Sequence, residues 1–216
     1  MNSSFVFNEP RQVRSQETMD HILDAAAQIL ETKNFEELTI AMVVKKAGTS
    51  VGAFYGRFKD KETLLQALDE RFFNEFEQAI KKFVDSPYWT EKSIYSIISG
   101  VCALLVETYS QQRGVLRSLN LKGRMSNDPR FRKREQRAWQ ELFPWLQEIL
   151  LSNKTEITHP DPSLATRLGF QQMFYGMREI LLWEPLRDEV LYDPEILISE
   201  MTRAYLAYLG VQETIS

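Results

Sequence analysis

The hydrophobic positions of this chain recur mainly every three or four residues, which is the spacing of one face of an α-helix. A first helix is predicted from about residue 15 to residue 33 on the positions Met19, Ile22, Leu23, Ala26 and Leu30. A longer helix is predicted from Asp60 to Ser86-Pro87 on the positions Leu64, Leu65, Leu68, Phe72 and Phe76. No strand-length stretch alternates between polar and apolar residues. The pattern therefore predicts an all-α chain of about nine helices.

Two short helices are predicted between these long ones, joined by a glycine. Thr39 is placed to cap the first, because its hydroxyl can accept a bond from an unpaired amide of the first turn. The inward positions of that helix are predicted to be Val43, Val44 and Ala47. Gly48 is expected to end it in the left-handed conformation, and Ser50 to cap the next helix. Two helices joined so tightly must cross steeply, which predicts a helix-turn-helix.

The second short helix has unlike faces. Phe54 and Phe58 lie four residues apart and are predicted to point inward. The outward strip consists of Val51, Gly52, Ala53 and Gly56. Two glycines cost roughly 1 kcal/mol each relative to alanine inside a helix, so the strip suits close approach to another surface better than it suits stability.

Basic residues are concentrated near this helix-turn-helix. From Lys45 to Lys61, five basic residues and one acidic residue give a net charge of +4 in 17 residues, whereas the whole chain carries −4. A local basic patch on an acidic protein is what phosphate contact over a small region requires. We predict DNA phosphate contacts from Thr39, Ser50, Tyr55, Arg57 and Lys61. Base-facing positions are predicted at Val51, Gly52, Ala53 and Gly56, supplemented by Lys45 and Lys46.

The same segment resembles the tetracycline-repressor (TetR) family of bacterial regulators over about residues 14 to 68. The residues that carry the resemblance are Thr39, Ala47-Gly48, Ser50, Gly52, Tyr55, Phe58, Lys61-Glu62 and Leu64. Two positions depart from the family pattern: Thr49 stands where valine is usual, and Arg57 where an aromatic residue or histidine is frequent. The resemblance implies a helix-turn-helix DNA-binding domain at residues 14–60 and a larger helical effector-binding and dimerisation domain at residues 61–216.

The last two predicted helices, about residues 163–184 and 194–209, are apolar on more than one side. A helix at a chain end with two apolar sides is expected to be buried once in its own subunit and once in a partner. A monomeric core is the alternative. The resemblance implies a homodimer, and the predicted four-helix interface consists of Leu164, Leu168, Tyr175, Leu182, Leu197, Met201, Ala204, Tyr205 and Tyr208. Gly169 and Gly176 are expected to permit close helix contact.

The middle helices are rich in aromatic residues and methionine. Such residues line many pockets for apolar ligands, and they also fill ordinary cores. The family resemblance, which implies an effector cavity here, favours a pocket lined by Val101, Leu105, Tyr109, Leu119, Met125, Trp139, Phe143, Phe170, Phe174 and Met177. Pro144 lies inside a helix predicted over about residues 128–151, where it is expected to kink or split the helix and so help to open a cavity.

Several other classes of protein are disfavoured. The longest apolar stretch, Ile94 to Val106, is too short to span a bilayer and predicts a buried helix. Cys102 is the only cysteine, so no intramolecular disulfide forms and a reducing, cytoplasmic compartment is expected. His21 and His159 are isolated, and no metal-spaced ligand set, phosphate-binding glycine loop or serine nucleophile motif is present. The sequence predicts neither an enzyme nor a cofactor or metal.

A second basic run, Arg130, Arg132, Lys133, Arg134 and Arg137, allows two interpretations. It is either a solvated helix face or a second nucleic-acid patch, and the first is favoured because positive charge is unfavourable at a helix start.

The predicted function is a homodimeric transcriptional repressor of a palindromic double-stranded DNA operator, released by a small apolar or aromatic effector, with no membrane partner. Two alternatives remain open. One is a protein of the same fold that binds DNA or a protein partner without an effector. The other is a helical ligand carrier with a vestigial helix-turn-helix.

Overall fold

The computed structural model describes residues 9–86, 93–125, 136–183 and 193–211. These residues form nine α-helices and no strand, which confirms the predicted fold class. The helices are α1 Glu9–Leu30, α2 Ile40–Lys46, α3 Val51–Tyr55, α4 Lys61–Val84, α5 Ile94–Gln111, α6 Arg113–Met125, α7 Phe143–Ser152, α8 Pro162–Leu182 and α9 Pro194–Leu209. Among them, none combines the length and the apolar character that crossing a membrane requires.

Aspartate side chains begin three of the longer helices. Asp60 accepts a hydrogen bond from the Thr63 amide at 2.7 Å, and Asp161 accepts one from the Leu164 amide at 2.9 Å. Asp193 accepts from the amides of residues 195 and 196 at 2.8 and 3.1 Å. Each such cap contributes about 1 kcal/mol. The two predicted Asp-Pro helix starts at residues 161 and 193 are confirmed, and Asp128-Pro129 lies outside the described residues.

The buried side chains form two clusters, and two helices belong to both. The first core comprises buried residues of α1 to α3, the α4 residues Leu64, Leu65 and Leu68, and Val115 and Leu119 of α6. The second core contains the later part of α4 from Phe72 onward, together with α5, α7, α8, α9 and Leu116 of α6. Leu119 was predicted to line a pocket, but its side of α6 packs in the first core. A domain division at residue 60 remains a proposal, since the two cores meet along α4 and α6.

The start of α6 is pressed against the end of α1. A Cβ atom on Gly114 would lie only 2.2 Å from the Leu30 carbonyl oxygen, a distance at which the backbones would have to separate. The Gly114 amide also donates a 3.0 Å hydrogen bond to the Glu31 carboxylate. No side chain larger than hydrogen fits at this crossing.

Pro144 is accommodated by a change of helix type. A single π-helical turn, Ala138–Leu142, precedes α7, and Pro144 sits in the first turn of α7. A proline at a helix start has no intrahelical hydrogen bond to lose, and the wider turn before it absorbs the interruption. The predicted break is therefore present. The basic residues from Arg130 to Arg134 lie outside the described residues.

The α8–α9 contact is close at one glycine and not at the other. A Cβ on Gly169 would lie 2.1 Å from Cε2 of Tyr205, whereas one on Gly176 would meet no described atom within 4 Å. Close helix contact within the chain is therefore present at Gly169, whereas for Gly176 it stays a prediction. The Tyr205 hydroxyl donates to the Thr166 carbonyl, and burial raises the pKa of this tyrosine.

Three residues predicted for the dimer interface are instead buried within the chain. Leu182, Leu197 and Tyr205 belong to the second core, because the inward sides of α8 and α9 already use them. Of the remaining six, Leu164, Leu168 and Ala204 are exposed, and Tyr175, Met201 and Tyr208 are half-buried.

The only cysteine of the chain is buried, as predicted. Cys102 Sγ lies 3.3 Å from Met173 Sδ, and Thr202 donates to it at 3.7 Å. Burial raises the pKa of the thiol to about 11. The thiol is therefore protonated and unreactive near neutral pH.

Gly169→Ala should destabilise the protein by about 1–3 kcal/mol, because the added methyl must displace the Tyr205 ring in a packed core. Urea unfolding followed by circular dichroism measures this. The matched control is Gly176→Ala, which has open space and should not destabilise. Equal effects from the two substitutions would show that the Tyr205 contact does not determine the spacing of α8 and α9.

Candidate functional site

The helix-turn-helix is built by two capping hydroxyls and one left-handed glycine. Thr39 Oγ1 accepts from the Met42 amide at 3.3 Å, and Ser50 Oγ accepts from the Ala53 amide at 3.1 Å. Gly48 has φ +63°, and no described atom lies within 4 Å of a Cβ placed there. The turn therefore needs glycine for its backbone conformation and not for space.

Two phenylalanines, Phe54 in the second short helix and Phe58 just after it, point inward as predicted. Phe54 and Phe58 are buried with ring centroids 5.4 Å apart, and Val43 and Val44 of α2 are buried in the same core. This packing fixes which side of α3 faces solvent.

The outward side of α3 forms a small, mostly apolar surface, which we call the reading face: Val51, Gly52, Tyr55 and Gly56. Val51 is 50% exposed and Tyr55 is 55% exposed, and both glycines are exposed. Ala53 is half-buried beside them. A Cβ on Gly52 would lie 3.8 Å from its nearest neighbour and one on Gly56 3.4 Å, and neither glycine has a positive φ. No described part of the chain therefore requires glycine at either position.

Four polar residues flank the reading face. Lys45 and Lys46 are exposed in the last turn of α2, where positive charge is favourable. Thr39 and Ser50 are also exposed, and each capping hydroxyl keeps its own proton for a further acceptor.

Arg57 was predicted to contact phosphate, but its guanidinium is held within the chain. Nε and Nη2 donate to the Ser15 carbonyl at 3.2 and 3.1 Å, and Nη1 donates to the Ala53 carbonyl at 2.9 Å. A fourth contact joins Nη2 to the Ser15 hydroxyl at 3.2 Å. Arg57 thus ties the end of α3 to α1, and a phosphate would have to compete with these bonds.

Lys61 is held in a similar way. Its ammonium donates to the carbonyls of Phe35 and Glu36 at 3.2 and 3.3 Å, and it lies 3.6 Å from the Glu36 carboxylate. It also sits 4.8 Å from the centre of the Phe35 ring, and Lys122 of α6 lies 5.0 Å from the same ring. Sequence reasoning missed this cluster because its members are far apart along the chain and share no local pattern.

A second candidate site is an aromatic cavity between α4, α5, α6, the π-turn, α7 and α8. Five of its predicted lining residues are brought together: Tyr109, Trp139, Phe143, Phe170 and Phe174. The Trp139 ring lies 5.6–5.8 Å from those of Phe143, Phe170 and Phe174. The cavity offers about 60 Å³ to the centres of water-sized molecules.

The other five predicted lining residues lie elsewhere. Val101, Leu105 and Met177 are buried in the second core and do not line the cavity, and Leu119 belongs to the first core. Met125 is 82% exposed at the end of α6, so it does not form a wall. In their place the cavity has residues that sequence reasoning assigned to the core or did not consider, namely Phe72, Phe73, Phe76, Ile80, Thr108, Leu116, Asn120, Leu142, Leu146 and Arg178.

A capped helix-turn-helix at the start of an otherwise helical chain defines the class, a helix-turn-helix protein with a separate helical body. Residues 22–68 match the family described as bacterial regulatory proteins, tetR family. This match covers the helix-turn-helix part of the chain and supports a regulator of this family. The family is one of regulatory proteins, which confirms the prediction that the chain is not an enzyme.

Two relatives indicate how far the likeness extends. The chain is 34% identical over 73 residues to the uncharacterized HTH-type transcriptional regulator YvdT of Bacillus subtilis, which covers 33% of this chain and 38% of that protein. It is 27% identical over 133 residues to the nucleoid occlusion factor SlmA of Alteromonas mediterranea, covering 62% of this chain and 66% of the relative. The matched segments therefore span less than two thirds of either relative.

Solved structures extend the likeness of fold to nearly the whole chain. A tetR-family regulatory protein from Rhodococcus RHA1 superposes with a TM-score of 0.68 at 18% identity, over 91% of this chain and 98% of that one. The fatty acid degradation regulator FadR from Bacillus halodurans gives a TM-score of 0.68 at 21% identity, over 90% and 97%. The chain has the fold of these regulators.

Lys61→Ala should lower the free energy of unfolding by about 1–3 kcal/mol, since it leaves two carbonyl groups without their charged donor. Lys59→Ala is the matched control, because Lys59 is an exposed lysine two residues earlier. Chemical unfolding of both variants measures the difference. If Lys61→Ala is as stable as the control, the contacts to the Phe35 and Glu36 carbonyls do not stabilise the fold.

Proposed function

We propose that this chain is a homodimeric DNA-binding transcriptional regulator, a repressor that leaves a palindromic operator when a small apolar or aromatic effector binds. The observation that carries the proposal is the reading face. Gly52 lies in α3, where glycine costs helix stability, and Gly56 ends this helix; no described neighbour requires glycine at either position. Two exposed positions without side chains are explained by the close approach of a second molecule, and the flat edges of base pairs in a major groove are such a surface.

The flanking residues supply the phosphate contacts in this proposal. Thr39, Ser50 and Tyr55 are exposed and can donate to phosphate oxygens, and Lys45 and Lys46 add charge beside them. Because Arg57 and Lys61 are held by the chain itself, we assign them a smaller role in phosphate binding. Their main contribution is to hold α1 and α4 against the helix-turn-helix.

Direct base readout is expected to be modest. Val51 and Ala53 offer methyl groups suited to the methyl group of thymine, and the glycines offer no side-chain hydrogen bonds. Selectivity must then depend on the spacing of two reading faces in a dimer, about 34–36 Å apart for successive major grooves.

The dimer surface proposed here is narrower than the one predicted from sequence. Leu164 and Leu168 on α8 and Ile196 on α9 are large apolar side chains that the chain leaves exposed, and Ala204 is exposed on the same helix as Ile196. Exposed apolar side chains on two adjacent helices support a symmetric helix-to-helix interface.

Coupling between effector binding and DNA binding is supported by α4 and α6, which contribute side chains to both cores. Phe72 and Phe73 of α4 and Leu116 of α6 line the aromatic cavity, while earlier residues of α4 and Val115 of α6 pack behind the helix-turn-helix. A ligand that moves either helix changes the position of the reading face. By linkage, DNA then weakens effector binding by the same factor.

A second candidate function is a DNA-binding protein that needs no effector. The likeness to nucleoid occlusion factors favours it, because that likeness covers a larger share of this chain than the likeness to the transcriptional regulator. The two candidates differ in one respect: only the first requires a ligand that changes DNA affinity.

The main proposal is tested by selecting DNA from a random pool and measuring its affinity and footprint. A palindromic footprint, with affinity that falls steeply as salt rises, is expected. Binding that is independent of salt, or no binding to any selected duplex, would exclude the proposal and favour the carrier alternative.

Gly52→Ala should change stability and DNA affinity in opposite directions. The free energy of unfolding should rise by up to about 1 kcal/mol, because alanine favours the helix. Affinity for selected DNA, measured by fluorescence anisotropy, should fall at least several-fold, because the methyl group holds the helix away from the bases. Gly176→Ala makes the same chemical change outside the reading face and should leave DNA affinity unchanged. An unaltered affinity in Gly52→Ala would remove the main support for the reading face.

Leu168→Glu should convert the dimer to a monomer and weaken operator binding, because two buried carboxylates would face each other across a two-fold axis. Light scattering after size exclusion measures the mass. Leu121→Glu is the matched control, since Leu121 on α6 is 38% exposed and Leu168 is 36% exposed. A Leu168→Glu protein that stays dimeric would show that the interface lies elsewhere.

A further inference from the structure

The aromatic cavity has one polar end, although most of its wall is apolar. Asn120 of α6 and Arg178 of α8 both line it. Arg124 lies one helical turn after Asn120 and contacts Glu179, the neighbour of Arg178, at 2.5 Å. Because residues four apart share a helix face, Asn120 and Arg178 lie near the same end of the cavity.

Arg178 places a permanent positive charge at this end. Its side chain is only 11% exposed, and its guanidinium carries a positive charge. The carboxylate beside it, Glu179, lies 3.5 Å from Arg178 and 2.5 Å from Arg124. The guanidinium carbon of Arg178 also lies 4.6 Å from the centre of the Tyr175 ring.

Asn120 contributes a buried side-chain amide to the cavity wall. It is only 8% exposed, and its single hydrogen bond among the described residues runs from Nδ2 to the Leu116 carbonyl at 3.3 Å. One amide proton and the side-chain carbonyl remain for a ligand. A buried amide with unused hydrogen-bonding groups, on a cavity wall beside a guanidinium, is the kind of polar group that orients a ligand.

We propose that the effector is a small aromatic monocarboxylic acid, whose carboxylate binds Arg178 and Asn120 and whose ring packs among Trp139, Phe170 and Phe174. This inference rests on the proposed function and specifies its ligand. A carboxylate can form charge-assisted hydrogen bonds with a guanidinium, and a neutral apolar ligand cannot. A cationic ligand would be repelled by the same group.

The size of the cavity limits the ligand further. A volume of about 60 Å³ corresponds to about four or five water molecules, which is comparable with one ring and a short side chain. Phenylacetate has these dimensions.

The test compares acids with their amides, which differ in charge and hardly in shape. Calorimetry on the full chain should show phenylacetate and 3-phenylpropionate binding at least about tenfold more tightly than phenylacetamide and 3-phenylpropanamide. Arg178→Gln should bring each acid close to its amide, and Arg178→Lys should keep part of the preference. Asn120→Leu should weaken the acids and leave the amides unchanged. Arg124→Gln, which removes a neighbouring charge outside the cavity, should keep the full preference.

The outcomes separate this inference from the proposed function. If the amides bind as tightly as the acids, the acid inference is wrong, while release of DNA by an amide would still support an effector site. If no acid of the set binds the folded chain, the inference is also wrong, and the proposed function then depends on whether any other ligand weakens DNA binding. Loss of acid preference in Arg124→Gln as well as Arg178→Gln would point to a general charge effect and overturn the assignment of Arg178.

Discussion

The contact between the start of α6 and the end of α1 is the constraint on which the rest of the arrangement depends. The Gly114 backbone lies against Leu30 so closely that a single methyl would meet its carbonyl oxygen at 2.2 Å. This crossing directs Val115 into the first core, and the next residue, Leu116, into the cavity wall. One helix thereby joins the packing behind the helix-turn-helix to the place where a ligand would sit.

The start of α4 strengthens this connection from the opposite side. The ammonium groups of Lys61 in α4 and Lys122 in α6 lie 4.8 and 5.0 Å from the centre of the Phe35 ring. Lys122 also lies within 3.7 Å of the carboxylates of Glu36 and Glu62. Exposed ion pairs contribute little one by one, but here they accompany carbonyl bonds and a buried ring. Two of the helices that line the cavity, α4 and α6, are therefore linked directly to the loop before the helix-turn-helix.

Local features were predictable from the sequence, and long-range ones were not. Caps at Thr39, Ser50 and Asp60 follow from neighbouring residues, so α2, α3 and the start of α4 were predicted closely. The first helix, predicted over about residues 15–33, instead runs from Glu9 to Leu30. The hydrogen-bond partners of Arg57 and Lys61 lie 42 and 26 positions away in the sequence. The spacing of hydrophobic residues does not predict contacts between residues so far apart. A helical stripe likewise shows that Leu182, Leu197 and Leu119 are apolar without showing which neighbour each faces. The fold class could therefore be predicted from the sequence. Which apolar side chains lie in the core, line the cavity or face a partner could not.

Some glycines of the chain are required by the fold, and others are not. Gly48 is explained by its backbone conformation, and Gly114 and Gly169 by neighbours that leave no room for a methyl group. Gly52 and Gly56 have neither reason within the described chain, although alanine would favour the short helix that contains Gly52 and ends at Gly56. A destabilising residue that no contact within the chain explains is expected where function sets the sequence. The lack of a side chain at these two positions of the reading face is thus itself the strongest sign that another surface must approach it.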